Sequence, residues 1–453
     1  MATNRGSWGS RLGFILAAAG SAVGLGNVWG FPTQVGKGGG AVFVLVYLVC
    51  VFVICLPVMI AELVIGRRAQ KDPVSAFSAI RPNSPWWLVG ALGVAAGVAI
   101  LSFYSVIAGW AFAYVWFSAS GASGGDPAAI RSFFAAFVAN GPASVLLSLL
   151  VLTGTAAAII GGVRGGIERV CKVMMPLLLL LLVGLAIRAT TLPGAHAGLA
   201  YYFKPDLARL FEPAVLNAAL GQAFFSLSLG MGAMLTYGSY LSKRDGIAAA
   251  ALWVVVIDTT VALLAGLIIF PAGFSIPGFD PGTSGPGLIF AVLPQLFATL
   301  PGGHVFGAAF FVMLSLAALT STISLLEVPV AHLIDARGWT RRRAVITLAS
   351  AAFLLSIPSA LAGGSVAALS QLPGLGMDFL SLMATIWNNF ALPVGGLFIA
   401  VFVGWAWGVE GALDELRANQ AWFPGPRVWG FLIRFVCPLA ILVIIVFTIR
   451  DLL

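Results

Sequence analysis

The sequence predicts an all-α polytopic membrane protein of eleven transmembrane helices, built as a 5+5 inverted repeat with helices 1 and 6 interrupted. Composition, the length of the apolar runs and the placement of Lys and Arg predict it. Of 453 residues, 60% are hydrophobic and 9% charged, against roughly a quarter charged in a soluble chain. The apolar runs reach the roughly 20 residues that cross a bilayer as helix. They lack the alternation of barrel strands.

The spans are placed at about 11–36, 40–66, 86–118, 142–161, 166–190, 213–240, 246–271, 304–336, 341–360, 374–406 and 426–449. The Gly/Pro-rich stretch 273–287 is placed outside the membrane, where water can satisfy its backbone. With the N-terminus inside, six of the 24 Lys and Arg fall outside: Lys37, Arg131, Arg188, Lys204, Arg209 and Arg450. The positive-inside rule selects that orientation. Spans 1–5 then start inside and end outside, and spans 6–10 run the other way. This is the layout of an inverted-repeat transporter: one domain, with repeat one at about 11–190, repeat two at about 213–406 and an extra helix at about 426–449.

The net charge of +8 is therefore topological. No polybasic arm or aromatic RNA-binding signature points to nucleic acid. Cys50, Cys55, Cys171 and Cys437 are irregularly spaced and suggest neither a disulfide framework nor zinc. The first apolar run is read as a retained helix, since no small-residue cleavage site and soluble domain follow it.

Two spans carry mid-membrane interruptions. Span 1 holds Gly20, Gly24 and Gly26 before Asn27; span 6 holds Ser226, Ser228, Gly230, Met231 and Gly232. Glycine inside a helix costs about 1 kcal/mol relative to alanine. Close packing explains either stretch alone; a matched pair beside polar residues points to unwinding. Freed amides favour a carboxylate, and freed carbonyls favour Na⁺ or an ammonium group. A zwitterionic amino acid with sodium satisfies both. Glu62, Asp258, Glu327 and Asp378 are carboxylates in or beside apolar runs, and such groups mark function by default. Glu62 and Glu327 are read as acceptors for loose amides, and Asp258 as a cation ligand.

At these residues the chain resembles the neurotransmitter:sodium symporter family. The most specific matches are Arg5, Gly6, Ser7 and Trp8 with Arg11 to Phe14, then 20–32, 221–240 and 317–327. The likeness is to bacterial amino-acid carriers of the eleven-span type, which implies a bacterial inner (plasma) membrane. It implies two sodium sites. The first would use Ala22, Asn27, Ser226 and Asp258 with the substrate carboxylate; the second Gly20, Val23, Ala317, Thr320 and Ser321. All are hard oxygen donors. The substrate carboxylate would meet the amides near Leu25 and Gly26 and the Tyr104 hydroxyl. Its ammonium would meet the Ala22 and Phe225 carbonyls and Ser228. Ile100, Phe225, Met231, Ser321 and Leu325 would surround its side chain, and Ser226 would adjoin it. Gly24 stands where carriers of monoamines place an aspartate, leaving room for a carboxylate. Met231 adapts to varied shapes, so a neutral apolar or aromatic amino acid is expected. Asp258 stands where chloride-dependent relatives have an amide, so chloride-independent uptake is expected.

The resemblance also implies gates. Arg5, Trp8 and Asp335 would form the inner one. Gly166 and Pro176 match a Gly-X₉-Pro pattern that lets span 5 unwind, since proline lacks the N–H; for Gly166 the end of a loop is an equal reading. Asp378 would serve the outer gate, but its usual arginine partner is replaced by Gly30, leaving water or a donor such as Gln34.

A channel needs a continuous polar lining. An enzyme needs a nucleophile–base pair or metal spacing, which His196, His304 and His332 do not supply. A proton-coupled or exchanging carrier of the same architecture, and a non-transporting amino-acid sensor, remain open.

Overall fold

A backbone in hydrocarbon must satisfy its own hydrogen bonds, which leaves helices or closed barrels. In a computed structural model, which describes residues 6–122, 126–282, 287–300, 302–418 and 425–450, every regular element is a helix. Among the described residues nine helices are long and apolar enough to cross a membrane. They are Ala41–Ala69, Trp87–Ser120, Gly141–Ile160, Val163–Thr190, Ile247–Gly273, Gly303–Arg337, Arg341–Leu361, Phe379–Ala406 and Pro426–Arg450. A tenth candidate is the pair Arg11–Ala22 and Gly26–Lys37, bent by 51°. The segment read as span 6 is two pieces, Pro213–Ser226 and Ala233–Gly238, each too short to cross alone.

Two sequence boundaries move. Span 10 starts at Phe379 rather than 374, because Asp378 caps it: its Oδ1 accepts the Ser381 amide at 2.8 Å. The loop expected over 273–287 is followed by helical turns at Leu288–Val292 and Leu293–Thr299, too short to show as an apolar period. The helices Pro73–Ile80, Pro127–Ala139, Ala195–Phe203 and Val409–Arg417 also lie in the connections.

The two longest helices, Trp87–Ser120 and Gly303–Arg337, pack along each other; Arg11–Ala22 lies against Gly303–Arg337 and Ile247–Gly273, and Ala233–Gly238 lies against Gly303–Arg337. Large apolar side chains such as Leu146, Leu180, Leu354 and Leu439 face outward, as a lipid-facing surface requires. Arg67 is fully buried and donates to Glu415 Oε1 at 2.9 Å, with Lys243 Nζ 2.8 Å from the same oxygen. A buried cation needs such a partner, and this one ties Val409–Arg417 to the end of span 2.

Candidate functional site

The first helix of span 1 ends at Ala22 because Val23 leaves helical geometry, with φ −68° and ψ 116°. Helix resumes at Gly26. In span 6 the chain is non-helical over 227–232, where Ser228, Gly230 and Gly232 take φ of 54°, 83° and 75°. Left-handed backbone is inexpensive for glycine and uncommon for serine. Ser228 is held there by donating its hydroxyl to the Ser21 carbonyl at 2.9 Å, which joins the two breaks. Glu62, fully buried, accepts the freed Gly230 amide at 2.8 Å.

Between the breaks lies a narrow cavity of about 30 Å³, enough for a water or two. Ala22, Gly24, Gly26, Ile100, Tyr104, Phe225, Ser228, Met231, Ser321 and Leu325 line it, all expected from the sequence. Leu25 is not in this wall, but its amide donates to the Tyr104 hydroxyl at 2.9 Å. Ser226 is not in it either and faces the other side of the break. Three residues that sequence reasoning missed, Ser21, Ser324 and Leu392, complete the wall. Ser324 was findable, one turn beyond Ser321 on the same face; Leu392 arrives from span 10 with no local signal. A Cβ on Gly24 would fall 2.4 Å from Ser321 Oγ and 2.7 Å from the Tyr104 hydroxyl. No side chain fits there.

Behind the break, Asn27, Ser226 and Asp258 form a buried polar cluster. Asn27 Nδ2 donates to Asp258 Oδ1 at 2.7 Å and to Ser226 Oγ at 2.9 Å, and Ser226 Oγ donates to Asp258 Oδ2 at 3.0 Å. Asn27 Oδ1 accepts the Gly24 amide at 2.9 Å. The electropositive end of a carboxamide thus sits among oxygens suited to a small cation. A second group of oxygens joins span 1 to span 8. Ser321 Oγ lies 3.1 Å from the Val23 carbonyl, Thr320 Oγ1 lies 2.9 Å from the Ala317 carbonyl, and Gly20 packs on Thr320. Both clusters are all-oxygen sets apart from the Asn27 amide, which fits sodium.

One side of the cavity is sealed. Trp8 donates its indole N–H to the Tyr237 carbonyl at 3.0 Å and packs edge-on against Phe14, Tyr237 and Tyr240. Glu327 accepts two bonds from Arg341, at 2.7 and 2.8 Å, and one from the Tyr240 hydroxyl at 2.7 Å. Asp335 accepts the Asp72 amide at 2.7 Å, and His332 Nδ1 lies 2.8 Å from Asp72 Oδ1. Burial raises the Asp72 carboxyl, but hydrogen bonds from His332 and Ser75 outweigh it and hold the group below the usual carboxylate value. Arg5 lies outside the described residues. Gly166 sits in the wide helical turn Val163–Glu168, against the Ala158 carbonyl, and Pro176 lies inside the helix that follows.

The opposite side opens into a vestibule of about 530 Å³, with Tyr104 and Phe225 at its boundary with the narrow cavity. Gln34 lines it; Asp378 does not.

The model of the sodium:neurotransmitter symporter family matches residues 5–123 and 138–452. An uncharacterized sodium-dependent transporter, YhdH of Bacillus subtilis (strain 168), is 39% identical over 442 residues, covering 96% of each chain. The human sodium- and chloride-dependent GABA transporter 2 is 26% identical over 490 residues, covering 96% of this chain and 79% of the transporter. The crystal structure of MhsT in complex with L-phenylalanine superposes with a TM-score of 0.90 at 45% identity, covering 98% of this chain and 99% of that one.

Proposed function

Because the chain belongs to the sodium:neurotransmitter symporter family, a family of membrane transporters, we propose that it carries a neutral, hydrophobic or aromatic amino acid into the cell with sodium, without chloride. The observation that supports this best is the convergence of two helix breaks on one cavity, backed by Asn27, Ser226 and Asp258.

The substrate carboxylate binds at the start of the second helix of span 1, where amides and the helix dipole favour an anion. The Tyr104 oxygen already accepts from the Leu25 amide, so its own O–H proton is available to that carboxylate. The ammonium lies toward Ala22, Phe225 and Ser228. Ile100, Met231 and Leu325 take the side chain, which enters as Phe225 and Met231 give way.

Sodium enters behind the break as the Asn27 carboxamide turns its oxygen inward, and the substrate carboxylate completes the shell. Coupling follows directly, since neither ligand finds a full set of partners alone. A second ion sits among Gly20, Val23, Ala317, Thr320 and Ser321. Asp258 supplies a fixed negative charge, which removes the need for chloride. The vestibule is the outer entrance, and the Trp8 seal faces the cytoplasm of a bacterial cell with the N-terminus inside. Ten of the eleven spans form two inverted five-helix repeats, with the sixth broken across 227–232 and the last helix outside both. Gly166 and Pro176 let span 5 loosen as the seal opens.

Thermal-shift measurement with each of the twenty amino acids, in sodium and in potassium, tests this. Ligand that binds the folded state raises apparent stability. Apolar or aromatic amino acids stabilise in sodium only; equal shifts in potassium contradict the coupling.

A further inference from the structure

Gly30 removes the cation that the outer gate would need, and the structure shows what stands in its place. A Cβ on Gly30 would lie 3.1 Å from Gln222 Oε1. The Gln222 carboxamide therefore fills the space beside Gly30, and its Nε2 donates to the Gly26 carbonyl at 2.8 Å. The anion is diverted too. Asp378 is committed to Ser381, accepting its amide and its hydroxyl at 2.8 Å each. Among the described residues no charged side chain lines the vestibule between these elements. Its polar groups are hydroxyls, an indole and carboxamides, and two of the carboxamides are unsatisfied. The Oδ1 atoms of Asn217 on span 6 and Asn388 on span 10 are buried without a hydrogen-bond partner among the described residues. Asn388 sits in the wide turn Thr385–Ala391, where the backbone departs from regular α geometry.

We propose that the outer gate closes through neutral carboxamide hydrogen bonds between span 6 (Gln222, Asn217) and span 10 (Asn388), in place of an ion pair. Both oxygens lie in the vestibule wall with acceptor capacity that no described protein group uses, so closure can give each a donor from the facing span. Gln222 has one amide proton committed to Gly26 and another to give. Because no charge crosses the gate, ionic strength does not act on it, whereas an exposed ion pair weakens with salt. The assignment rests on the transport reading above, in which the vestibule is the outer entrance.

The test is the release rate of labelled phenylalanine from the purified full-length chain at fixed sodium, with ionic strength raised from about 0.05 to about 0.5 M by choline chloride. Wild-type release is expected to be unchanged by salt. Q222L and N388L are each expected to release about tenfold faster, the scale of one buried hydrogen bond. The double variant is expected to be no faster than either single one, as partners in one contact behave. D378N is expected to release at the wild-type rate. Salt-accelerated release, acceleration by D378N equal to that of Q222L, or wild-type rates in both leucine variants would each overturn the proposal.

A second readout needs no substrate chemistry. T385C, in the vestibule wall, is labelled by a thiol reagent; the four native cysteines are buried. On protein that elutes as a single folded species, Q222L is expected to speed labelling of T385C, and equal labelling overturns the gate. A wild-type chain that retains no phenylalanine in sodium contradicts the transport reading, while the labelling result still decides the gate.

Discussion

The Tyr104 hydroxyl oxygen accepts the Leu25 amide proton at 2.9 Å, bridging span 3 to the first backbone freed by the break in span 1. The same hydroxyl lies 2.7 Å from where Gly24 would carry a Cβ. On the proposed function, the substrate end of the site is set by one hydroxyl and one missing side chain.

Substituting Gly24 tests the second. G24A places a methyl against Tyr104 and Ser321 and is expected to weaken amino-acid binding by at least about tenfold, near 1.4 kcal/mol. Equilibrium binding of labelled phenylalanine on monodisperse protein measures it. Unchanged affinity would mean that Tyr104 does not face the carboxylate.

Asp258 tests the fixed charge. D258N nearly keeps the shape of the side chain, but it neutralises the cluster and turns one of the two acceptors facing Asn27 and Ser226 into a donor. Sodium dependence is expected to move about tenfold or more to higher concentration, and chloride in place of gluconate to restore part of the loss. Binding assayed across sodium concentrations in both anions decides it. A variant with wild-type sodium dependence would remove Asp258 from the ion site.

The seal makes a stability prediction. Glu327 is fully buried and Arg341 mostly so, and breaking one side of such a pair leaves an uncompensated charge, costing about 3–5 kcal/mol. E327Q is expected to lower the midpoint of thermal unfolding clearly, while substitution of the exposed Arg342 is not. Equal midpoints for E327Q and wild type would contradict the assignment.

Asp72 gives a pH prediction. Its folded pKa lies below the usual value, so its stabilising contribution is complete above the unfolded pKa of about 3.9. That contribution is lost as pH falls through the folded value. Wild-type thermal stability is expected to fall below about pH 4 more steeply than that of D72N. Parallel acid limbs would show that the contact from His332 does not stabilise the charged form.

Much of this was legible in the sequence, for a physical reason: hydrocarbon imposes length and polarity on each span, and both are local properties. The glycines of 20–26 and 230–232 marked the breaks because glycine inside a helix needs a cause. Thr320 and Ser321 were named through the family resemblance alone, since their approach to span 1 is a tertiary contact, with Ser321 Oγ 3.1 Å from the Val23 carbonyl. What escaped depends on tertiary arrangement. Leu392 reaches the cavity from span 10, and Ile444 and Thr448 of the last helix line the vestibule. The cap at Asp378 did carry a local signal, an acid before a helical run with serine three residues on, but the family likeness to a gate obscured it. Wide helical turns such as Thr385–Ala391 leave no mark in composition.

On the proposed function, two opposed helix breaks hold an amino acid and sodium together and release them together. Uptake of labelled phenylalanine or tryptophan into proteoliposomes under an inward sodium gradient, with gluconate as the only anion, tests it most directly. Accumulation above the external concentration that collapses when sodium is replaced by potassium is the predicted result. Accumulation that persists in potassium, or sodium-dependent binding without accumulation, would contradict it.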